Sequence, residues 1–249
     1  MADDLVRLSH LVEKNMSWCA SCGHAIFQRL ILECVDELGY RGKCISVPGV
    51  GCTGLVHGMI NHENYYPVPH GRAGAVATGV KRVNPDVLVY TWQGDGDAET
   101  IGFSETMNAA YRNENICVFV SVNNYFSMTG GQMSWTTLEG QKTATSPNGR
   151  DCLLTGKPIH VPEMMAAEFD IAYAARGAMN SPAHIRQMKQ MIMNAFQAQI
   201  NGEGFSIVEG LSMCPTSWER SPLECRKLID EVVAPQYPIG VIKERRQAK

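Results

Sequence analysis

Short, nearly unbroken apolar runs alternate with amphipathic stretches along most of this chain. The runs "CISV" (44–47), "VLVYTW" (87–92), "ICVFVSV" (116–122) and "FSIVEG" (205–210) read as strands buried on both faces, because a half-exposed strand would alternate apolar with polar residues. Residues of about 24–38, about 73–83 and "IGFSETMNAAYR" (101–112) instead place apolar side chains at helical spacing. The stretch "SPAHIRQMKQMIMNAFQAQI" (181–200) predicts a longer helix, with Ser181 as N-cap, Pro182 at the first position and its methionines in the core or at an interface. "FDIAYAAR" (169–176) predicts a short strand and turn. The alternation as a whole predicts an α/β fold with a doubly wound, mainly parallel sheet.

The pattern breaks twice. From Asn123 to about residue 160 the chain is rich in Gly, Thr, Ser, Asn and Pro, too long for an ordinary connection and so a functional loop. Beyond about residue 215, Pro215, Pro222, Pro235 and Pro238 predict a tail that wraps another surface. With 249 residues and 45% hydrophobic content, one domain over 1–249 is expected, with an irregular N-terminal segment (about 1–23) and the C-terminal tail (about 215–249). A net charge of −3 argues against nucleic acid as a partner. No stretch approaches the roughly 18 apolar residues of a membrane helix, and the polar, acidic N-terminus has no apolar leader; a cytoplasmic location is expected.

Nine cysteines are many for such a protein, where thiols more often mean metal or catalysis than disulfides. Cys34, Cys44 and Cys117 fall inside predicted elements and read as core. Cys19 and Cys22 form a Cys-x-x-Cys pair in "SWCASCGH", while Cys52 in "GVGCTG" and Cys214 in "SMCPTS" occupy turns after apolar strands. Four thiolates suit a [4Fe-4S] cluster, and equally an all-thiolate zinc site. A redox pair of the thioredoxin kind would follow a strand, and "HLVEKNMSW" does not read as one.

A second constellation is "YTWQGDGDAETIG" followed by "FVSVNNYFSMTGGQ". Asp95 and Asn123 lie 28 residues apart, one strand-helix-strand unit, so both emerge at the same edge of neighbouring strands. One carboxylate, one amide oxygen and a turn carbonyl, completed by a diphosphate, make the oxygen shell Mg2+ prefers, and Gly94 and Gly96 allow the backbone close to a phosphate.

These motifs resemble those of thiamine diphosphate enzymes. With "WCASCGH", "GVGC", "HGRAGAVATGVKRVNPD" and "MCPT", the chain from 17 to 216 is similar to the β subunit of 2-oxoacid:ferredoxin oxidoreductases. The resemblance implies a thiamine diphosphate-binding fold, with Cys19, Cys22, Cys52 and Cys214 as ligands of a [4Fe-4S] cluster. It implies that Asp95, Asn123 and the main-chain carbonyl of Tyr125 bind Mg2+, that Thr129, Gly130, Gly131 and Gln132 cradle the cofactor, and that Asp97 and His24 lie near it. Two departures stand out: Val122 and Ser127 occupy positions where the family often has Asn and Gly, which leaves Asn124 outside the motif.

The implied reaction is coenzyme A-dependent oxidative decarboxylation of a 2-oxoacid to acyl-CoA and CO2, with electrons passing through the cluster to ferredoxin. No catalytic residue is assigned on this chain, because the activating glutamate is expected on an α subunit; a ferredoxin-like subunit and external ferredoxin are the other expected partners. Leu55, where relatives acting on 2-oxoglutarate often carry lysine, and Met128 predict an apolar substrate pocket. Together with "GRD" at 149–151 they look most like the 2-oxoisovalerate (branched-chain) type; pyruvate, 2-oxoglutarate and aryl 2-oxoacids stay open. His70 and Arg72 suit either anion or subunit contacts or a satisfied turn. A zinc-stapled scaffold without the thiamine site, and a thiamine enzyme without the cluster, are the readings from other classes.

Overall fold

Each predicted strand and helix forms, and their order sets which chain ends meet. The computed structural model describes residues 18–56 and 64–245. In chain order these are α1 (Gly23–Glu37), β1 (Cys44–Pro48), a 3-10 turn (Cys52–Val56), α2 (Ala73–Val83), β2 (Leu88–Gly94), a π-helical turn (Gly96–Ile101), α3 (Phe103–Tyr111) and β3 (Cys117–Val122). The polar loop follows, with the hairpin β4 (Tyr125–Phe126) and β5 (Gln132–Met133) and the short α4 (Cys152–Thr155). Then come α5 (Val161–Glu168), β6 (Tyr173–Ala178), α6 (Pro182–Ile200), β7 (Ser206–Leu211), α7 (Pro215–Trp218), α8 (Pro222–Leu228), a second π-helical turn (Ile229–Val233), α9 (Ala234–Gln236) and β8 (Gly240–Glu244).

The main sheet runs β1-β2-β3-β7-β6-β8, with β8 antiparallel to β6 and the other pairings parallel. Both faces are covered, which is why the strands carry unbroken apolar runs. Successive residues supply opposite layers: Leu88, Tyr90, Trp92 and Phe119 pack with Phe27, Ile31, Ile192 and Phe196 of α1 and α6, while Val89, Val118 and Val120 pack with Ala77, Ala109 and Met165 of α2, α3 and α5. Met188 and Met191 lie in the first of these layers, as the sequence predicts. Ser181 caps α6 by accepting the His184 N–H at 3.2 Å.

Two expectations are corrected. The segment beyond 215 is not a wrapping tail: over 215–245 it folds into α7, α8, α9 and the edge strand β8, because Pro215, Pro222 and Pro235 sit at first-turn helix positions, where a missing N–H costs nothing, and Pro238 lies between α9 and β8. The strand expected from residue 169 begins only at Tyr173, and α5, unforeseen, precedes it. Residues 1–17 of the expected N-terminal segment and the end of the expected tail (246–249) lie outside the described residues. Among the described residues no helix is long and apolar enough to cross a membrane.

Candidate functional site

Parallel pairing brings the carboxyl ends of the central strands to one edge. Pro48 is level with Trp92, Gly94 with Ser121 and Val122 with Leu211, so the residues that follow converge: Gly49, Asp95, Asn123 and, after β7, Cys214. In open α/β sheets this is the edge that binds ligands.

Asp95 is buried, and its Oδ2 accepts the Asn124 N–H at 2.8 Å, the Ser134 hydroxyl at 3.5 Å and the Thr136 hydroxyl. These donors fix the carboxylate plane. Burial nevertheless pushes the Asp95 carboxyl up to about 6 despite those hydrogen bonds, so the group gains from a cation at its side. Asn123 lies beside it, its Oδ1 accepting the Tyr125 N–H at 3.2 Å. Asn124, set aside on sequence grounds, has a positive φ of 66° that aims its N–H at Asp95; its side-chain oxygen is buried without a partner. Thr136, Ser134 and Asn124 are the positions sequence reasoning missed. The cluster of hydroxyl residues in "SWTT", inside a loop already read as functional, is the signal that marks the first two.

Asp97, on the π-helical turn, has its own set of partners. Its Oδ1 accepts the Gly71 N–H at 2.8 Å and pairs with His70 Nδ1, and its Oδ2 accepts Gln93 Nε2 at 2.5 Å. His70 is therefore part of a turn satisfied by Asp97, and Arg72 pairs with Glu105. Gly49 makes room for this knot, since a Cβ there would meet Asp97 Oδ2 at 2.0 Å.

A cavity of about 40 Å3 opens among these groups, lined by His24, Cys52, Gly94, Asp95, Gly96, Asp97, Asn123, Tyr125, Met128 and Thr129. Most of the expected site residues thus share one space. Leu55 is half-buried on the adjoining 3-10 turn and does not line it. Gly130 and Gly131 line a separate groove of about 810 Å3 behind the loop, and Gln132 holds Thr129 by two hydrogen bonds of 2.6 and 2.8 Å. The small cavity reflects Phe126, whose ring lies over Gly96 so closely that a Cβ there would sit 2.5 Å away. The "GRD" triplet is architecture: Arg150 is buried and spends its guanidinium on loop carbonyls, including those of Trp135 at 2.9 Å and Gly156 at 3.0 Å.

The four candidate thiols come from three segments that meet beside this cavity. Cys19 and Cys22 close a turn (Cys22 N–H to Cys19 carbonyl, 3.1 Å), and Trp18 Nε1 donates to the Cys52 carbonyl at 2.7 Å. Gly23 docks on the β7 exit, its N–H donating to the Met213 carbonyl at 3.0 Å, with Ser212 Oγ 2.4 Å from where a Cβ would stand. Burial pushes the Cys22 thiol up to about 12 and Cys52 up to about 11; the neighbouring Cys214 and Cys19 sulfurs add to both. Among the described residues no three His, Cys, Asp or Glu side chains close in tightly enough to clasp a single metal ion. His24, buried at the start of α1 with Nδ1 3.3 Å from Cys22 Sγ, is pushed down to about 4 by burial and stays neutral.

The C-terminal TPP-binding domain of thiamine pyrophosphate enzymes matches residues 49–209, which contain Asp95 and Asn123. The ketoisovalerate oxidoreductase subunit VorA of Methanothermobacter thermautotrophicus is 37% identical over 92% of this chain, and the 2-oxoglutarate synthase subunit KorB of Archaeoglobus fulgidus is 34% identical over 86% of this chain and 75% of its own length. The chain belongs to the 2-oxoacid oxidoreductase family of thiamine pyrophosphate enzymes. Members differ in length, and this chain spans about half of VorA (48%). The family fold is seen in the 2-oxoglutarate:ferredoxin oxidoreductase of Magnetococcus marinus, whose structure holds 2-oxoglutarate, coenzyme A and succinyl-CoA; it superposes with a TM-score of 0.78 over 98% of this chain and 87% of that one, at 23% identity.

Proposed function

We propose that this chain is the thiamine diphosphate- and cluster-bearing β subunit of a 2-oxoacid:ferredoxin oxidoreductase, acting on 2-oxoisovalerate. The observation that carries this reading is the convergence, at one sheet edge, of the buried Asp95–Asn123 pair with the Cys19, Cys22, Cys52 and Cys214 segments. When bound, thiamine diphosphate supplies the carbanion-stabilising chemistry by which a 2-oxoacid loses CO2, with coenzyme A as acyl acceptor. Asp95, Asn123 and the Tyr125 carbonyl hold its Mg2+; Asn124, Ser134 and Thr136 hold Asp95 in one orientation.

A cluster is preferred over zinc because relatives of this chain are oxidoreductase subunits, whose reaction releases electrons that redox-inert zinc cannot accept. The apolar Met128 on the cavity wall supports a branched-chain substrate, since it offers nothing to a second carboxylate. An α subunit supplies the glutamate that activates the cofactor, and a ferredoxin-like subunit carries the electrons onward. Anaerobic purification with whatever copurifies, followed by iron and sulfide analysis and a visible spectrum, tests this reading. About four irons per chain and a brown absorption that bleaches with 2-oxoisovalerate and coenzyme A are expected; a colourless, zinc-bearing protein would overturn the cluster and the oxidoreductase chemistry with it.

A further inference from the structure

Cys214 and Ser127 approach each other from opposite sides of the boundary between the thiol segments and the cofactor loop. Their Sγ and Oγ atoms are 3.4 Å apart. As a free thiol, Cys214 is the donor. A sulfur bound to a cluster is a thiolate without a proton, so the contact persists only if the Ser127 hydroxyl turns to donate. Both partners are held in place. Cys214 is buried at the N-cap of α7, and that helix is tied down by Trp218, whose Nε1 donates to the Asn123 carbonyl at 3.0 Å. Ser127 follows β4 directly, and its carbonyl accepts the Gly130 N–H at 3.3 Å.

We propose that the Ser127 hydroxyl is a hydrogen-bond donor to the Cys214 thiolate and raises the reduction potential of the cluster. Uptake of one electron places more negative charge on the cluster and its sulfurs, so a donor fixed on a ligand sulfur stabilises the reduced form more than the oxidised one. Loss of the hydroxyl leaves that charge less compensated and makes reduction harder. The residue is a positioning and tuning group on the loop that also carries Asn123, so it links the state of the cofactor loop to the acceptor of its electrons. This inference rests on the cluster reading given above.

The test is a redox titration followed by electron paramagnetic resonance on the purified complex, comparing the wild type with Ser127→Ala and Ser127→Thr at equal iron content. A more negative midpoint potential in S127A, restored towards the wild-type value in S127T, is the expected result. A cluster of unchanged potential in S127A overturns the inference while leaving the cluster reading intact. A wild-type protein without iron overturns both. Should S127A fail to retain iron, Ser127→Gly, which leaves no side chain at all, takes its place in the comparison.

Discussion

A carboxylate that is to hold a cation, the role proposed for Asp95, must be kept ionised and correctly turned, and the second task falls to its neighbours. Thr136 and Ser134 donate to Oδ2, and their hydroxyls also bond each other at 2.8 Å, so the carboxylate is held by a small network. Removing such an outer partner typically costs 10–100-fold in metal affinity. Thr136→Val is expected to weaken Mg2+–thiamine diphosphate binding by about that factor, measured by titration calorimetry, with little change in helix or sheet content by circular dichroism. At Leu55 the expectation concerns specificity. Leu55→Lys should raise the preference for 2-oxoglutarate over 2-oxoisovalerate in the assembled enzyme; an unchanged preference would take Leu55 off the substrate face.

Elements in this fold are joined by buried charge as well as by apolar packing. Arg176 of β6 is fully buried; its Nε donates to Glu209, its register partner on β7, and its terminal nitrogens to Glu163 of α5 at 2.5 and 2.7 Å. The Tyr237 ring lies 5.1 Å from the guanidinium. Arg176→Met would strand two carboxylates, one of them fully buried, and is expected to cost about 3–5 kcal/mol, read as a fall in the denaturation midpoint. The π-helical turn brings an opposite effect. Both oxygens of Glu99 are buried without a donor, and burial, reinforced by the Glu209 charge, holds its carboxyl well above the usual carboxylate range. A carboxyl raised by folding binds its proton more tightly in the native state, so its stability contribution is complete below the unfolded value near 4.5 and is lost as pH rises. Glu99→Gln has no proton to lose. It is expected to be more stable than the wild type at neutral pH, by a margin that shrinks on acidification, in denaturation curves taken across pH.

At the scale of the whole molecule the candidate site gathers at one edge of the main sheet. Asp95, Asn123 and the thiols are all on this chain, and the glutamate that activates thiamine is proposed to come from an α subunit. The isolated chain is therefore expected to bind thiamine diphosphate without decarboxylating 2-oxoisovalerate, activity appearing only with the partner subunit; turnover by a homogeneous sample of this chain alone would refute that division of labour.

Much of this was legible in the residues alone. Unbroken apolar runs at 44–47, 87–92, 116–122 and 205–210, alternating with helical patterns, point to strands buried on both faces with helices on both sides of a mainly parallel sheet. The spacing from Asp95 to Asn123 likewise determines that both stand at one edge, since a right-handed strand-helix-strand unit returns the chain to where it began. What only the tertiary structure decided is how distant segments meet. Asn124 acquires its role from a left-handed backbone turn, Arg150 becomes a brace of the loop, and the proline-rich segment beyond 215 closes the sheet with β8. The contact of Ser127 with Cys214 joins residues 87 apart in sequence. Local pattern carries the period of an element and the chemistry of a motif, whereas contacts between loops depend on packing the whole chain at once, and no window of sequence contains both partners.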